Sequence, residues 1–148
     1  MKYRKDKGLA FLINATDKII INNFVRKLKN NGINITFEQF TILTMLWDNE
    51  NLCQYNLAQL TNRDQASTSR LINTLIKNEL IIRQCCPSDK RINRIKLTEK
   101  GELLKEHVEY IARECFEEAV NGISKEEIEE GMKFLTKISE NLNSINTK

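Results

Sequence analysis

The sequence predicts a mainly helical (α+β) fold: helices around one short β-hairpin, with long helices at both ends of the chain. Three observations predict it. One proline and five glycines in 148 residues leave long stretches without a helix breaker. Apolar residues recur three and four apart near both termini, and the period drops to two only around residues 80–85 and 94–97. A chain of 17.3 kDa can bury one proper core, or one small domain plus extra helices, and is too short for a two-domain enzyme.

Leu9, Leu12, Ile13, Ile19, Ile20, Phe24 and Leu28 form the stripe of a first amphipathic helix, and Asn30-Asn31-Gly32 supplies residues that tolerate positive φ and stop it. Thr36-Phe37-Glu38-Gln39 has the capping-box form and opens a second helix through Phe40, Leu43 and Leu46, to about Trp47 or Asp48. A short apolar link at Leu52-Cys53 leads to a short helix near Asn56 to Thr61 and a polar turn at Asn62-Arg63-Asp64. Gln65 to Asn78 is the next helix. Its apolar side is Ala66, Leu71, Ile72, Leu75 and Ile76, with Gln65, Ser67, Thr68, Arg70, Asn73, Thr74 and Lys77 opposite. Two helices joined by a short turn, the second opening on small polar residues and an arginine, match a helix-turn-helix.

Leu80 to Cys85 and Arg94 to Leu97 then read as strands of a hairpin with a basic tip around Pro87-Ser88-Asp89. Thr98 stands at the N-cap of a helix striped by Leu103, Leu104, Val108, Ile111, Ala112, Cys115, Phe116 and Ala119, stopping near Asn121-Gly122. Ser124-Lys125-Glu126-Glu127 is a second capping box, opening a last helix with Ile128, Met132, Leu135, Ile138, Leu142 and Ile145 in register. These terminal stripes exceed what a winged helix of about sixty residues can cover, so part of them is expected to bury against a second copy of the chain. A monomeric bundle folding back on itself is the alternative.

Charge is unevenly placed. The net charge is +3 over residues 1–62, +5 over 63–100 and −5 over 101–148. A basic block beside an acidic one suits a protein with one face on a polyanion, and nucleic acid is the natural candidate. Four cysteines (Cys53, Cys85, Cys86, Cys115) include no C-x-x-C pair, and His107 is the only histidine, so reduced thiols and no metal or cofactor are expected. No segment reaches the roughly 20 apolar residues of a membrane span. The charged start reads as no secretory signal, and a cytoplasmic protein is expected. One histidine in a charged helical stretch, and the glutamate pairs of the last helix, offer no nucleophile with a base, so an enzyme is not expected.

Pro87-Ser88-Asp89-Lys90-Arg91, followed by Ile95-Lys96-Leu97-Thr98-Glu99-Lys100-Gly101, resembles the wing signature of the MarR family of bacterial winged-helix regulators: Asp-x-Arg at the hairpin tip, Leu-Thr-x-x-Gly where the next helix begins. Leu57-Ala58-Gln59-Leu60 and Ser67-Thr68-Ser69-Arg70-Leu71 are similar to that family's support and recognition helices. Two departures stand out. The family commonly has a glycine where this chain has Asn78-Glu79-Leu80, so Asn78 or Glu79 must manage that helix end. The N-terminal cysteine of the peroxide-sensing branch is absent.

The expected assembly is a winged helix-turn-helix over residues 35–101, with residues 1–34 and 102–148 as dimerisation helices. As in helix-turn-helix proteins, the helix from Gln65 is expected in the major groove of double-stranded DNA, presenting Gln65, Ser67, Thr68, Ser69, Arg70 and Asn73, with Arg70 suited to bidentate contact with guanine. Ser67 or Ser69 could instead only cap the helix. The resemblance implies that Lys90, Arg91 and Arg94 reach the adjacent minor groove. It equally implies that Arg91 can pair with Asp64, with Asp89 beside it, to brace the wing.

The same resemblance implies a homodimer, in its usual role a repressor on a palindromic operator, and a small aromatic effector in a cleft lined by Leu12, Ala15, Phe40, Thr44 and Trp47. An apolar helical stripe explains those five as core as well. Cys85 and Cys86, beside Arg83 and near Lys90, form a possible thiol switch. A winged-helix module acting mainly through protein partners is the alternative function.

Overall fold

A computed structural model of the chain describes residues 8–49, 52–85 and 93–146. In chain order it contains α1 (Leu9–Asn30), α2 (Phe37–Asp48), α3 (Gln54–Leu60), α4 (Gln65–Lys77), β1 (Ile81–Cys85), β2 (Asn93–Leu97), α5 (Glu99–Ala119) and α6 (Lys125–Asn146). This is a winged helix-turn-helix carrying long helices at both ends. The chain divides at Arg113 into two compact units.

Helix ends follow from local chemistry. Gly32 takes φ +76° and lets Ile33 N–H reach back to the Leu28 carbonyl at 2.9 Å, closing α1. At α2 the capping box is complete: Gln39 N–H donates to Thr36 Oγ1 at 3.3 Å and Thr36 N–H to Gln39 Oε1 at 3.0 Å. Helix α3 begins two residues earlier than expected, at Gln54. The Asn56 side chain turns back to accept from the Cys53 N–H at 3.1 Å and the Cys53 thiol at 2.8 Å, so it serves as the third residue of the helix and not its start. Asn62, at φ 50°, lets Arg63 N–H return to Ala58 carbonyl at 2.9 Å and makes the tight turn into α4.

Helices α2, α3 and α4 touch one another and the hairpin, and Ile42, Leu43, Leu57, Ile72, Leu75, Ile81 and Ile95 are buried between them. Each such side chain contributes roughly 1.5–3 kcal/mol. The C-terminal half of α1 joins this core through Leu28 and Phe24, whose ring lies 4.8 Å from Phe40 and 6.4 Å from Phe37. Strands β1 and β2 pair antiparallel, with Ile81 opposite Leu97 and Arg83 opposite Ile95. The segment expected to be a plain link adds a rung: Ile95 N–H donates to Leu52 carbonyl at 2.8 Å, and Cys53 bridges Arg94.

The junction of α4 with the hairpin and α5 is the tightest part of the unit. Glu79 takes φ 61°, Glu79 N–H donates to Ile76 carbonyl at 2.9 Å, and Leu80 N–H donates to Leu75 carbonyl at 3.0 Å. This is the Schellman pattern that glycine usually closes. Three successive carbonyls then accept from the start of α5: Asn78 from Lys100 Nζ (2.9 Å), Glu79 from Thr98 Oγ1 (2.6 Å) and Leu80 from Thr98 N–H (3.0 Å). Gly101 is buried there, and a Cβ on it would collide with the Leu80 carbonyl oxygen. Its own carbonyl accepts from Trp47 Nε1 at 3.0 Å.

Beyond the winged core, large apolar side chains stay exposed within the single chain. Ile19 is 70% exposed, Leu103 73%, Met132 64% and Leu142 58%, with Leu9, Phe11, Leu12 and Phe134 near half. Helix α6 is capped as expected by Ser124 and Glu127. Among the described residues no helix is long and apolar enough to cross a membrane.

Candidate nucleic-acid interface

The site is built on α4. Asp64 is its N-cap: Oδ1 accepts from Ser67 N–H at 2.8 Å and Oδ2 from the Ser67 hydroxyl at 2.7 Å. The Ser67 hydroxyl, followed by the Ser67 N–H, holds the Asp64 carboxyl below the ordinary carboxylate range, so the cap is ionised at neutral pH. A carboxylate at this end also suits the helix dipole.

The helical phase of α4 differs from expectation at two residues. Thr68 is buried, with its hydroxyl donating to the Asp64 carbonyl at 2.9 Å, so it belongs to the core face with Ile72 and Leu75, at spacings of four and three. Its side chain cannot meet DNA. Ala66, expected on the apolar side, is exposed. The outward ridge is Ala66, Arg70, Asn73 and Lys77, with Thr74 beside it and Gln65 exposed at the start. Ser67 and Ser69 are half-buried at its margins, Ser67 acting as Asp64's partner. Sequence reasoning missed Ala66 and left Lys77 and Thr74 out of the site. The spacing of 66, 70, 73 and 77 carried the signal, once buried Thr68 fixes the phase.

Of the wing residues, Arg94 is half-buried on β2, two residues from exposed Lys96 on the same strand face. Arg83, exposed on β1, reaches Gln54 Oε1 at 3.4 Å. Asp89, Lys90, Arg91 and Cys86 lie outside the described residues, and so does the Asp64–Arg91 brace. Cys85 is exposed, its Sγ 3.7 Å from Asn93 Oδ1.

Of the five residues suggested for an effector cleft, Leu12 and Ala15 lie on α1 and Phe40, Thr44 and Trp47 on α2. Leu12 is 55% exposed on α1. Thr44 Oγ1 donates to the Thr41 carbonyl at 2.8 Å, Ala15 is half-buried, and Phe40 and Trp47 lie 6.5 Å apart in the aromatic cluster. A half-open cavity of about 290 Å³ lies elsewhere, bounded by Ile33, Ile35, Leu80 and Leu104, with Lys100 and Asn78 on its polar side.

A capped helix with a buried rear and a cationic outward ridge, set beside a two-stranded wing, has matches among known proteins. The MarR family model matches residues 35–93, the stretch from just before α2 to the first residue of β2. Over that stretch the chain is similar to the MarR family. Among solved MarR-like structures, MepR from S. aureus in complex with DNA is 27% identical with a TM-score of 0.84, covering 91% of this chain and 98% of its own. A probable transcriptional regulator from Pseudomonas aeruginosa is 25% identical with a TM-score of 0.82, covering 91% and 99%. BpsR of Bordetella bronchiseptica shares the fold at 22% identity and a TM-score of 0.82, covering 94% and 98%. The MarR family is one of DNA-binding transcriptional regulators.

Proposed function

We propose that this chain is a homodimeric, sequence-specific DNA-binding repressor of the MarR family that works in the cytoplasm on an inverted-repeat operator. The observation that carries this reading is the outward ridge of α4, where Arg70, Asn73 and Lys77 stand on a helix whose opposite face is locked into the core. Helix α4 enters the major groove, Arg70 meets guanine bidentately, Asn73 is suited to adenine, and Lys77 neutralises a phosphate. Gln65 and Ser69 remain contact candidates at the margins of the ridge. Arg94, with Lys90 and Arg91 close to it in sequence, supplies the wing contact. The likeness to MepR, solved on DNA, supports the same use of the fold.

Dimer formation is supported by the exposed apolar residues of α1, α5 and α6, because so much unburied Leu, Ile, Met and Phe is costly for a lone chain in water. Release by a small aromatic ligand completes the proposal. BpsR, a fold relative, has its DNA binding regulated by 6-hydroxynicotinic acid.

Operator selection from a random duplex pool, followed by anisotropy titration, tests the reading. Arg70→Ala should weaken the selected duplex about tenfold or more, in keeping with loss of a bidentate contact worth about 1–3 kcal/mol. Equal binding by the variant would exclude α4 as the reader. The two roles of Arg91 are separated by Asp64→Asn and not Asp64→Ala, because Asn keeps the helix cap while removing the charge that would pair with arginine. Bracing makes Asp64→Asn and Arg91→Ala similarly defective; direct contact makes only Arg91→Ala so.

A further inference from the structure

Less of α4 is free to meet a base than its composition suggests, and the free set includes one apolar group. The Ser67 and Thr68 hydroxyls both donate to Asp64, at 2.7 and 2.9 Å, one to its carboxylate and one to its carbonyl. Thr74 Oγ1 donates inward to the Arg70 carbonyl at 3.1 Å. What faces out at the start of the helix is Gln65, Ala66 and, one turn on, Arg70. Ala66 is exposed and stands opposite the Thr68, Ile72 and Leu75 face, so its methyl is no part of the buried core.

The major-groove edge of DNA offers a single apolar group, the 5-methyl of thymine, and alanine is among the side chains that meet it. Ala66 and Arg70 are four residues apart on one ridge, about 6 Å along the helix axis. That is close to two base-pair steps of about 3.4 Å. We propose that Ala66 is a specificity-determining residue whose methyl contacts the 5-methyl of a thymine within about two base pairs of the guanine held by Arg70. This rests on the DNA-binding reading and adds a thymine–guanine pairing of positions to each half-site. Larger side chains at residue 66 would hold the first turn of α4 away from the groove floor, so the small size of alanine also sets how deeply Arg70 reaches.

The test changes the DNA before the protein. In a selected operator, each half-site thymine is replaced in turn by deoxyuridine, which removes only the methyl, and each guanine by 7-deazaguanine, which removes the N7 acceptor. The guanine read by Arg70 is the one whose replacement abolishes the difference between wild type and Arg70→Ala. Wild type should lose about fourfold in affinity per half-site at one thymine within two base pairs of that guanine, the ratio expected for one buried methyl-sized contact. Ala66→Gly and Ala66→Ser should bind the thymine and deoxyuridine duplexes equally; the serine variant serves if glycine unsettles the helix. Equal binding of both duplexes by wild type at every half-site position overturns the proposal while leaving the DNA-binding reading intact. Failure to bind any duplex overturns both.

Discussion

Gly101 shows how one residue can be fixed by its neighbours' backbone. The chain needs the start of α5 pressed onto the end of α4, and at Gly101 no side chain fits against the Leu80 carbonyl. Gly101→Ala should therefore destabilise the protein by about 2–4 kcal/mol, as an overpacked and displaced contact does, and a urea melt would register it. Glu79 is the opposite case. It holds a left-handed φ of 61° that glycine takes more easily, and its ion pair with Lys100, at 3.6 Å, is exposed. Glu79→Gly should raise stability by roughly 0.5–1 kcal/mol, since relief of the strained backbone exceeds the loss of a surface pair. A fall in the melting midpoint would contradict the strain argument. The sequence raised this site as an anomaly, because Asn78-Glu79 stands where relatives place glycine. Three dimensions were needed to find that Glu79, not Asn78, carries the positive φ.

At the scale of elements, the acid response belongs to the caps. Asp64 caps α4 and Glu127 caps α6, each with its carboxyl held below the ordinary range by bonds from Ser67 and Ser124 respectively. Because folding depresses these values, their contribution is complete above the ordinary carboxylate range and is lost as pH falls through the lowered values. Helicity followed by circular dichroism should hold from neutral pH to about pH 5 and fray in stronger acid, and Asp64→Asn with Glu127→Gln should flatten that acid limb. Thr36→Ala, which breaks the α2 box, should cost about 1 kcal/mol at neutral pH. The elements were largely legible from sequence for the same reason: Thr36, Ser124 and Gly32 act within a few residues of themselves. The phase of α4 was less so. A threonine that bonds its own helix looks polar on paper, and a lone alanine looks apolar, so Thr68 and Ala66 exchanged sides until burial separated them.

For the whole molecule, the apolar surface of the terminal helices has no explanation in one chain. Met132→Glu with Leu135→Glu on α6 should shift the sedimentation coefficient from a dimer toward a single subunit and weaken operator binding by at least tenfold, through loss of the second reading head. Unchanged sedimentation would place the interface elsewhere. Length and stripe marked these apolar faces in advance, and they are exposed in the single chain; which part of them a second copy would cover depends on how two chains meet, which no local pattern encodes. The base identities outside Ala66 and Arg70 are a property of the duplex as much as of the protein.

The most direct measurement is anisotropy titration of a selected inverted-repeat duplex across a series of salt concentrations, with stoichiometry determined at saturation. Two protomers per duplex, and a log affinity that falls steeply with log salt at about 0.9 per phosphate neutralised, with Arg70→Ala markedly weaker, are the results the account predicts. One protomer per duplex, or an affinity indifferent to salt and to Arg70, would contradict it.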